Sequence, residues 1–291
     1  MTELVKIADG EVEAWFAPTG AELVRLRFRG QEQLWHGNPA WWDMRAPILF
    51  PVIGRSPGNA IKIAGETFKM TPHGFARDRP FALVRHEAAH ASFEQTDDAQ
   101  TRAMFPFGFS LRIEAKVRAS GLAMAATVEN RNTAAMPFCF GYHPGFLWPQ
   151  AAERRQRYVC VFERDETAPI RHADPTTGLL ARATFATPVA GRTLALDDRL
   201  FEAGALHFET VASRKIWFGV PGEPGLEVRF PDSPQLGIWT KPGAPFLCIE
   251  PWQGLAEVET SDGALERRPG VRVLAPGEAA RYRLAVEFKP L

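Results

Sequence analysis

Cysteine is scarce in this chain. There are three in 291 residues, Cys139, Cys160 and Cys248, odd in number, widely spaced and without a Cys-x-x-Cys pair. That pattern suggests neither a disulfide framework nor a zinc knuckle. A surplus of charge is also missing, since Lys plus Arg equal Asp plus Glu at 34 each. Nucleic acid and anionic membranes both call for a basic excess, so neither is expected as a partner. No apolar run is long enough to span a bilayer. The start, Met1 to Lys6, lacks the basic head and apolar core of a signal peptide. No glycine-rich loop of the phosphate-cradling kind occurs. These absences lead to the expectation of a soluble, cytoplasmic protein with reduced thiols.

What the chain has in quantity is alternation. In Leu111 to Arg118 the odd positions are apolar and the even ones charged, the signature of a strand with one wet face. Ser120-Gly121 turns it into Leu122 to Glu129, a hairpin. Tyr282, Leu284, Val286 and Phe288 alternate in the same way after a turn at Pro276-Gly277-Glu278. Similar runs occupy 11–16, 22–28, 62–70, 81–86, 215–220, 226–230 and 236–240. A long amphipathic helix is hard to find, and only 151–157 suggests a helical turn or two. Many strands at short spacing, separated by Gly and Pro at 24 each, predict an all-β sandwich or barrel. The irregular span 144–192 reads as a long excursion over the sandwich. The chain is expected to form one domain, 1–291.

Against this background Glu250 stands out, because it sits inside the apolar run Phe246-Leu247-Cys248-Ile249-Glu250-Pro251-Trp252. An unpaired buried charge is too costly for a marginally stable fold, so such a group is paired, neutralised or used. Dry surroundings favour the neutral form of a carboxyl and bring it toward proton-transfer chemistry. In Phe138 to Pro144, period two puts Cys139, Gly141 and His143 on one face. His143 then ends a row of small residues that leaves space above the sheet. His73 lies in Thr71-Pro72-His73-Gly74, where Pro72 fixes a dihedral and Gly74 permits close backbone approach. Arg55 ends the apolar segment that begins at Pro47, where its planar fork can grip a hydroxyl or an anion. For each of these the bland alternative is a strand cap, a loop histidine or a salt bridge. His36, His86, His90, His172 and His207 have no such setting and read as bland. Two histidines and a glutamate form an open metal site only if distant segments converge, so no metal is expected.

Taken together, "PILFPVIGR" (47–55), "PHGFAR" (72–77), "GYHPGF" (141–146) and "LGIWTKPGAPFLCIEPWQGLAE" (236–257) resemble the aldose 1-epimerase (galactose mutarotase-like) family, closest to its LacX-like branch. The resemblance spans roughly residues 10 to 290. It implies a large antiparallel β-sandwich, the supersandwich, that binds a small sugar and interconverts its anomers without a cofactor. By the same resemblance Glu250 is the catalytic base, His143 the catalytic acid and His73 a second active-site histidine. Arg55 binds substrate. Mutarotation needs a proton taken from the C1 hydroxyl while one is given to the ring oxygen. A carboxylate and an imidazolium on opposite sides of the ring suit this. Where many relatives carry a sugar-binding Asp, the matching position here is Gly204, with Asp197 and Asp198 nearby. Two other readings use the same residues. One is a hexose 6-phosphate epimerase, with Arg77 and Arg79 clamping the phosphate. The other is a non-catalytic sugar-binding protein. Pairing 236–240 with 246–250 across the loop 241–245 is expected to put Trp239 opposite Leu247, on the face away from Glu250.

Overall fold

A computed structural model describes residues 3–174 and 176–291. All named strand pairs are antiparallel, and the architecture is an all-β sandwich. One layer is a nine-stranded sheet. In spatial order it runs Thr193–Ala195, Val159–Phe162, Lys215–Gly219, Gly225–Arg229, Ala279–Lys289, Gly121–Asn130, Phe109–Arg118, His90–Thr96 and Ala82–Glu87. The other is a seven-stranded sheet in the order Ile170–Arg171, Leu206–Phe208, Gln235–Trp239, Phe246–Gln253, Phe140–Tyr142 and Ile48–Leu49. Its seventh strand, Gly145–Leu147, also pairs with Phe246–Gln253. A four-stranded sheet spans Val5–Asp9, Val12–Ala17, Glu22–Phe28 and Gln31–Glu32.

The alternation read from the sequence becomes the core. Leu111, Ile113, Ala115 and Val117 point inward from the Phe109–Arg118 strand. Their hairpin partner is Gly121–Asn130, with Arg118 opposite Gly121. Tyr282, Leu284 and Val286 face the same core. From the other sheet, Leu247 and Ile249 enter it fully buried. Burial of each such side chain contributes roughly 1.5–3 kcal/mol. Phe140 stacks on Tyr282 at 4.9 Å, and the Tyr142 hydroxyl donates to the Tyr282 carbonyl at 2.9 Å, joining the layers. Period two then decides where Glu250 goes. Because Leu247 and Ile249 face the core, Cys248, Glu250 and Trp252 face the outer side of the seven-stranded sheet.

Three expectations are corrected. Residues 62–70 are not one strand but part of a tight hairpin, Ala60–Ile63 with Glu66–Lys69. Its turn residues Ala64 and Gly65 both have positive φ, +50° and +86°, as two-residue hairpin turns require. Ala-Gly lacks the Asn-Gly signature, so the turn is easily missed. The span 144–192 is not purely an excursion. It supplies Gly145–Leu147 and Ile170–Arg171 to one sheet and Val159–Phe162 to the other, and it holds the short helix Ala152–Arg155, while most of its other described residues are turn or loop. Nor is the space above Gly141 empty. A Cβ there would lie 2.5 Å from Cδ1 of Trp252, and a Cβ on Gly237 would lie 2.5 Å from its Cη2. The indole therefore lies flat across two glycines on the strands that flank its own.

The chain does contain two motif spellings, a His-x-x-x-His and a Gly-x-Ser-x-Gly, that this fold does not use as their chemistry requires. His86-Glu87-Ala88-Ala89-His90 spells a zinc-binding His-Glu-x-x-His, which needs a helix to bring both histidines to one face. Here it crosses a hairpin turn, with Glu87 paired to His90 and His86 to Ala91. Gly54-Arg55-Ser56-Pro57-Gly58 spells a nucleophile elbow. Ser56 is buried, however, and its Oγ accepts a hydrogen bond from Nη1 of Arg268 at 2.8 Å.

Gly237→Ala tests the packing of the Trp252 indole. The added methyl forces a buried ring off its seat, and overpacking of this kind costs about 1–3 kcal/mol. Urea unfolding should show that loss, while an unchanged midpoint would mean that the ring is free to move.

Candidate active site

The site is laid out by strand register. Gly141 pairs with Trp252, and Gly145 pairs with Cys248. The two segments therefore share one register along Phe246–Gln253, and His143 between them falls opposite Glu250. Pro144 has no N–H for the ladder, but its carbonyl accepts from Ile249 N at 3.2 Å and keeps the crossing segment in place. Facing cross-strand side chains are close enough to touch. His143 Nε2 lies 3.0 Å from Glu250 Oε2. Both residues are buried, at 8 % and 2 % exposure. Among the described residues Glu250 has no other ion-pair partner.

His73 arrives from a different direction. Gly74 N donates to the Thr71 carbonyl and closes a tight turn. Gly74 itself, at φ +78°, lies so close to Phe50 that a Cβ would sit 2.1 Å from the Phe50 carbonyl oxygen. His73 also has a left-handed backbone, φ +67°. Its N–H donates to the Gly54 carbonyl at 2.9 Å, and its ring Nδ1 accepts from Gly54 N–H at 3.2 Å. That acceptor role puts the proton of a neutral imidazole on Nε2. Burial first, then His143 and Arg77, hold its pKa well below the usual histidine range. The His73 and His143 rings are 5.6 Å apart.

These groups share a cavity of about 710 Å³, within the roughly 300–1,000 Å³ typical of small-molecule sites. Glu250, His143, His73, Arg55 and Arg77 all line it. Glu250 stands between two apolar clusters. On one side Trp252 packs with Leu49, Ile53, Cys139, Leu180 and Leu255. On the other, Cys248 packs with Trp35 and Phe246, with Trp42 and Trp239 against them. Arg55 is exposed and lies on the backbone of Gly178, where a Cβ would come 2.5 Å from its Cδ. Arg77 is half-buried and donates through Nη2 to the Pro72 carbonyl at 2.9 Å.

The structure changes several assignments. His143 and Glu250 do not stand apart but touch. Gln235–Trp239 pairs with Phe246–Gln253 so that Trp239 is opposite Cys248 and Gly237 opposite Glu250. This is one residue from the expected register, and such a slip reverses the face of every side chain. Trp239 therefore lines the cavity with Trp252 and Trp42. Arg79 is not a clamp partner for Arg77, because it is paired with Asp98 and Gln100 outside the cavity. Asp198 is taken up by Arg155 and Gly243 N, and Asp197 caps Arg199. Gly204 does line the cavity, and a Cβ there would meet nothing within 4 Å.

His207, whose sequence neighbours give no sign of function, belongs to the site. It lines the cavity and is 7 % exposed, its ring 5.5 Å from that of Trp252. The signal that could have found it is register, since His207 pairs with Gly237, which pairs with Glu250. Burial, then His172, lowers its pKa to about 4. His143, Cys248 and Glu250 also place three donor atoms within 4.8 Å of one another. Burial and Glu250 hold the Cys248 thiol well above its ordinary range.

Known proteins share this sequence pattern and this fold. Residues 3–263 match the family model described as aldose 1-epimerase, and the chain belongs to that family. Among particular relatives, the plasmid-encoded protein LacX of Lactococcus lactis subsp. lactis is 30% identical over 279 residues, covering 91% of this chain and 93% of its own length. A galactose mutarotase-like protein from Lactobacillus casei superposes with a TM-score of 0.90 at 28% identity, covering 98% of this chain and all of the other. A galactose mutarotase related enzyme from Lactobacillus acidophilus gives 0.89 at 26% identity, covering 98% and 97%.

The two neutral histidines give the fold a pH signature. A histidine whose pKa is lowered on folding binds its proton more readily when unfolded. His73 and His207 therefore contribute stability that is complete above about pH 6.5 and is lost as pH falls toward their folded values. The slope is about 1.4 kcal/mol per pH unit for each. His207→Gln should lose stability between pH 6.5 and 4.5 less steeply than the parent in urea titrations. Parallel curves would show that His207 charges freely in the fold.

Proposed function

We propose that the protein is an aldose 1-epimerase, interconverting the α and β anomers of an aldose with Glu250 as base and His143 as acid. The observation that carries this reading is the 3.0 Å contact between a carboxylate and an imidazole in a sugar-sized cavity. The ring oxygen and the C1 hydroxyl of a pyranose are bonded to one carbon. A base and an acid that touch each other can reach both, and need not stand on opposite sides of the ring. Sugar entry replaces the direct contact with two. Glu250 takes the C1 hydroxyl proton as the bond from C1 to the ring oxygen breaks, and His143 gives a proton to that oxygen. The open aldehyde turns about C1–C2. Reclosure returns the Glu250 proton to the carbonyl oxygen and the ring-oxygen proton to His143, now with the other face attacked. The cycle begins with Glu250 ionised and His143 protonated, and each charge stabilises the other.

The neutral His73, with its Nε2–H free, donates to the ring oxygen or a neighbouring hydroxyl and holds the sugar. Arg55 and Arg77 bind hydroxyls farther out. A purely sugar-binding protein would gain nothing from a buried acid–base pair, whose desolvation is costly. No cofactor takes part in these steps.

Polarimetry or anomer-exchange NMR on α-D-glucose, α-D-galactose and their 6-phosphates tests the proposal. At least one sugar should equilibrate faster than in buffer, and no acceleration of any would defeat it. Glu250→Gln should keep sugar binding and lose about 10²–10⁴ of the rate. An unchanged rate would remove Glu250 from the mechanism.

A further inference from the structure

Four positions stand in one row across the outer face of the seven-stranded sheet: His143, Glu250, Gly237 and His207. The first two are the proposed acid and base. Gly237 has no side chain, and the edge of the Trp252 indole occupies the space above it. His207 closes the row. Neighbouring strands lie about 4.8 Å apart, so the backbones of Glu250 and His207 are separated by roughly twice that, about 10 Å. A pyranose ring with its hydroxyls fits between two side chains rising from such positions. His207 lines the cavity, is nine-tenths buried, and its Nδ1 has no hydrogen-bond partner. A buried polar atom in that state loses free energy until something pairs with it.

We propose that His207 is a specificity-determining residue that hydrogen-bonds the C3 or C4 hydroxyl of the sugar, the edge of the ring opposite the reacting C1. The assignment rests on the epimerase reading for the orientation of the ring, since C1 is fixed by Glu250 and His143. A neutral imidazole carries one donor and one acceptor, which matches a hydroxyl and does not match a phosphate. Nearby, Gly204 offers no side chain to do the same work. Its neighbour Glu202 lines the cavity but is exposed, where water competes for the same bonds.

Deoxy sugars provide the test. For the wild type, the KM for the 3-deoxy or the 4-deoxy form should exceed that of the parent sugar by about five- to tenfold, the worth of one buried hydrogen bond. His207→Leu keeps an apolar body beside Trp252 and removes the polar atoms. It should raise the KM of the parent by a similar factor, change kcat less than threefold, and abolish discrimination against that one deoxy sugar. His207→Gln should recover part of the lost affinity. Equal KM values for parent, 3-deoxy and 4-deoxy sugars on the wild type would overturn the assignment, and this arm needs no variant to fold. A leucine variant with a changed melting temperature but an unchanged deoxy profile would overturn it too. Sugar binding, followed by tryptophan fluorescence, separates this inference from the reading beneath it. Binding that depends on His207 without any accelerated exchange would retire the epimerase reading and the C3 or C4 assignment with it, and keep His207 as a sugar-binding residue only. Accelerated exchange indifferent to His207 would do the reverse. No binding and no exchange would overturn both.

Discussion

The contact between Glu250 and His143 is the constraint around which the outer face of the seven-stranded sheet is arranged. A carboxylate two residues from Trp252 and two from Cys248 lies between apolar clusters that give it no hydrogen bond. Removing one partner of a buried pair leaves an uncompensated charge, typically at a cost of 3–5 kcal/mol. The fold meets this need through register. Two short segments on either side of His143 pair with one strand in the same frame, so the imidazole is delivered opposite the carboxylate by backbone hydrogen bonds alone. Pairing by backbone is stiffer than pairing by a loop, and proton transfer benefits from a fixed separation.

A second buried charge supports the rim. The guanidinium of Arg268 is bonded to the carbonyls of Ile53, Arg55 and Leu255 and to the Ser56 hydroxyl. Among the described residues its one ion-pair partner is Glu257, at 3.7 Å. It therefore works as a multi-point clamp on backbone carbonyls. The clamp fixes the segment that presents Arg55 and holds Gly54 against His73. Residues about 200 positions apart in the chain are thus locked into one wall of the cavity. Ser56, which the motif spelling would make a nucleophile, is a structural acceptor in this clamp.

How much of this could be read from the chain depends on the kind of signal. Strands such as Phe109–Arg118 and Ala279–Lys289 were legible because one face is wet and the alternation is clean. The single carboxylate in an apolar run was legible for the same reason, since burial made Glu250 anomalous. His73, His143, Arg55 and Arg77 were picked out as candidates, and the fold gathers all four beside Glu250. Lateral register was not legible. Trp239 was put on the wrong face because a loop of uncertain length leaves the frame undetermined by one residue, and one residue is all that is needed. His207 was missed for a related reason: its neighbours in sequence are ordinary, and only its neighbours across the sheet make it interesting. Arg79 was misjudged because adjacent arginines on a turn diverge, one toward the cavity and one toward Asp98.

The cavity is lined by three imidazoles and by the buried carboxylate of Glu250, and electrostatics sorts the imidazoles. A positive charge on His143 is offset by Glu250 at 3.0 Å. A positive charge on His73 would be opposed by burial, by His143, by Arg77 and by Arg268, with no acid beside it. His207 is likewise held neutral by burial and by His172. The site therefore distinguishes one histidine, paired with Glu250, from two that burial and neighbouring groups hold neutral. Only a carboxylate confined to one cross-strand position produces that division. Had Glu250 been free to reach His73 or His207 as well, each would have been drawn toward its charged form, and the electrostatic distinction among the three would have been lost.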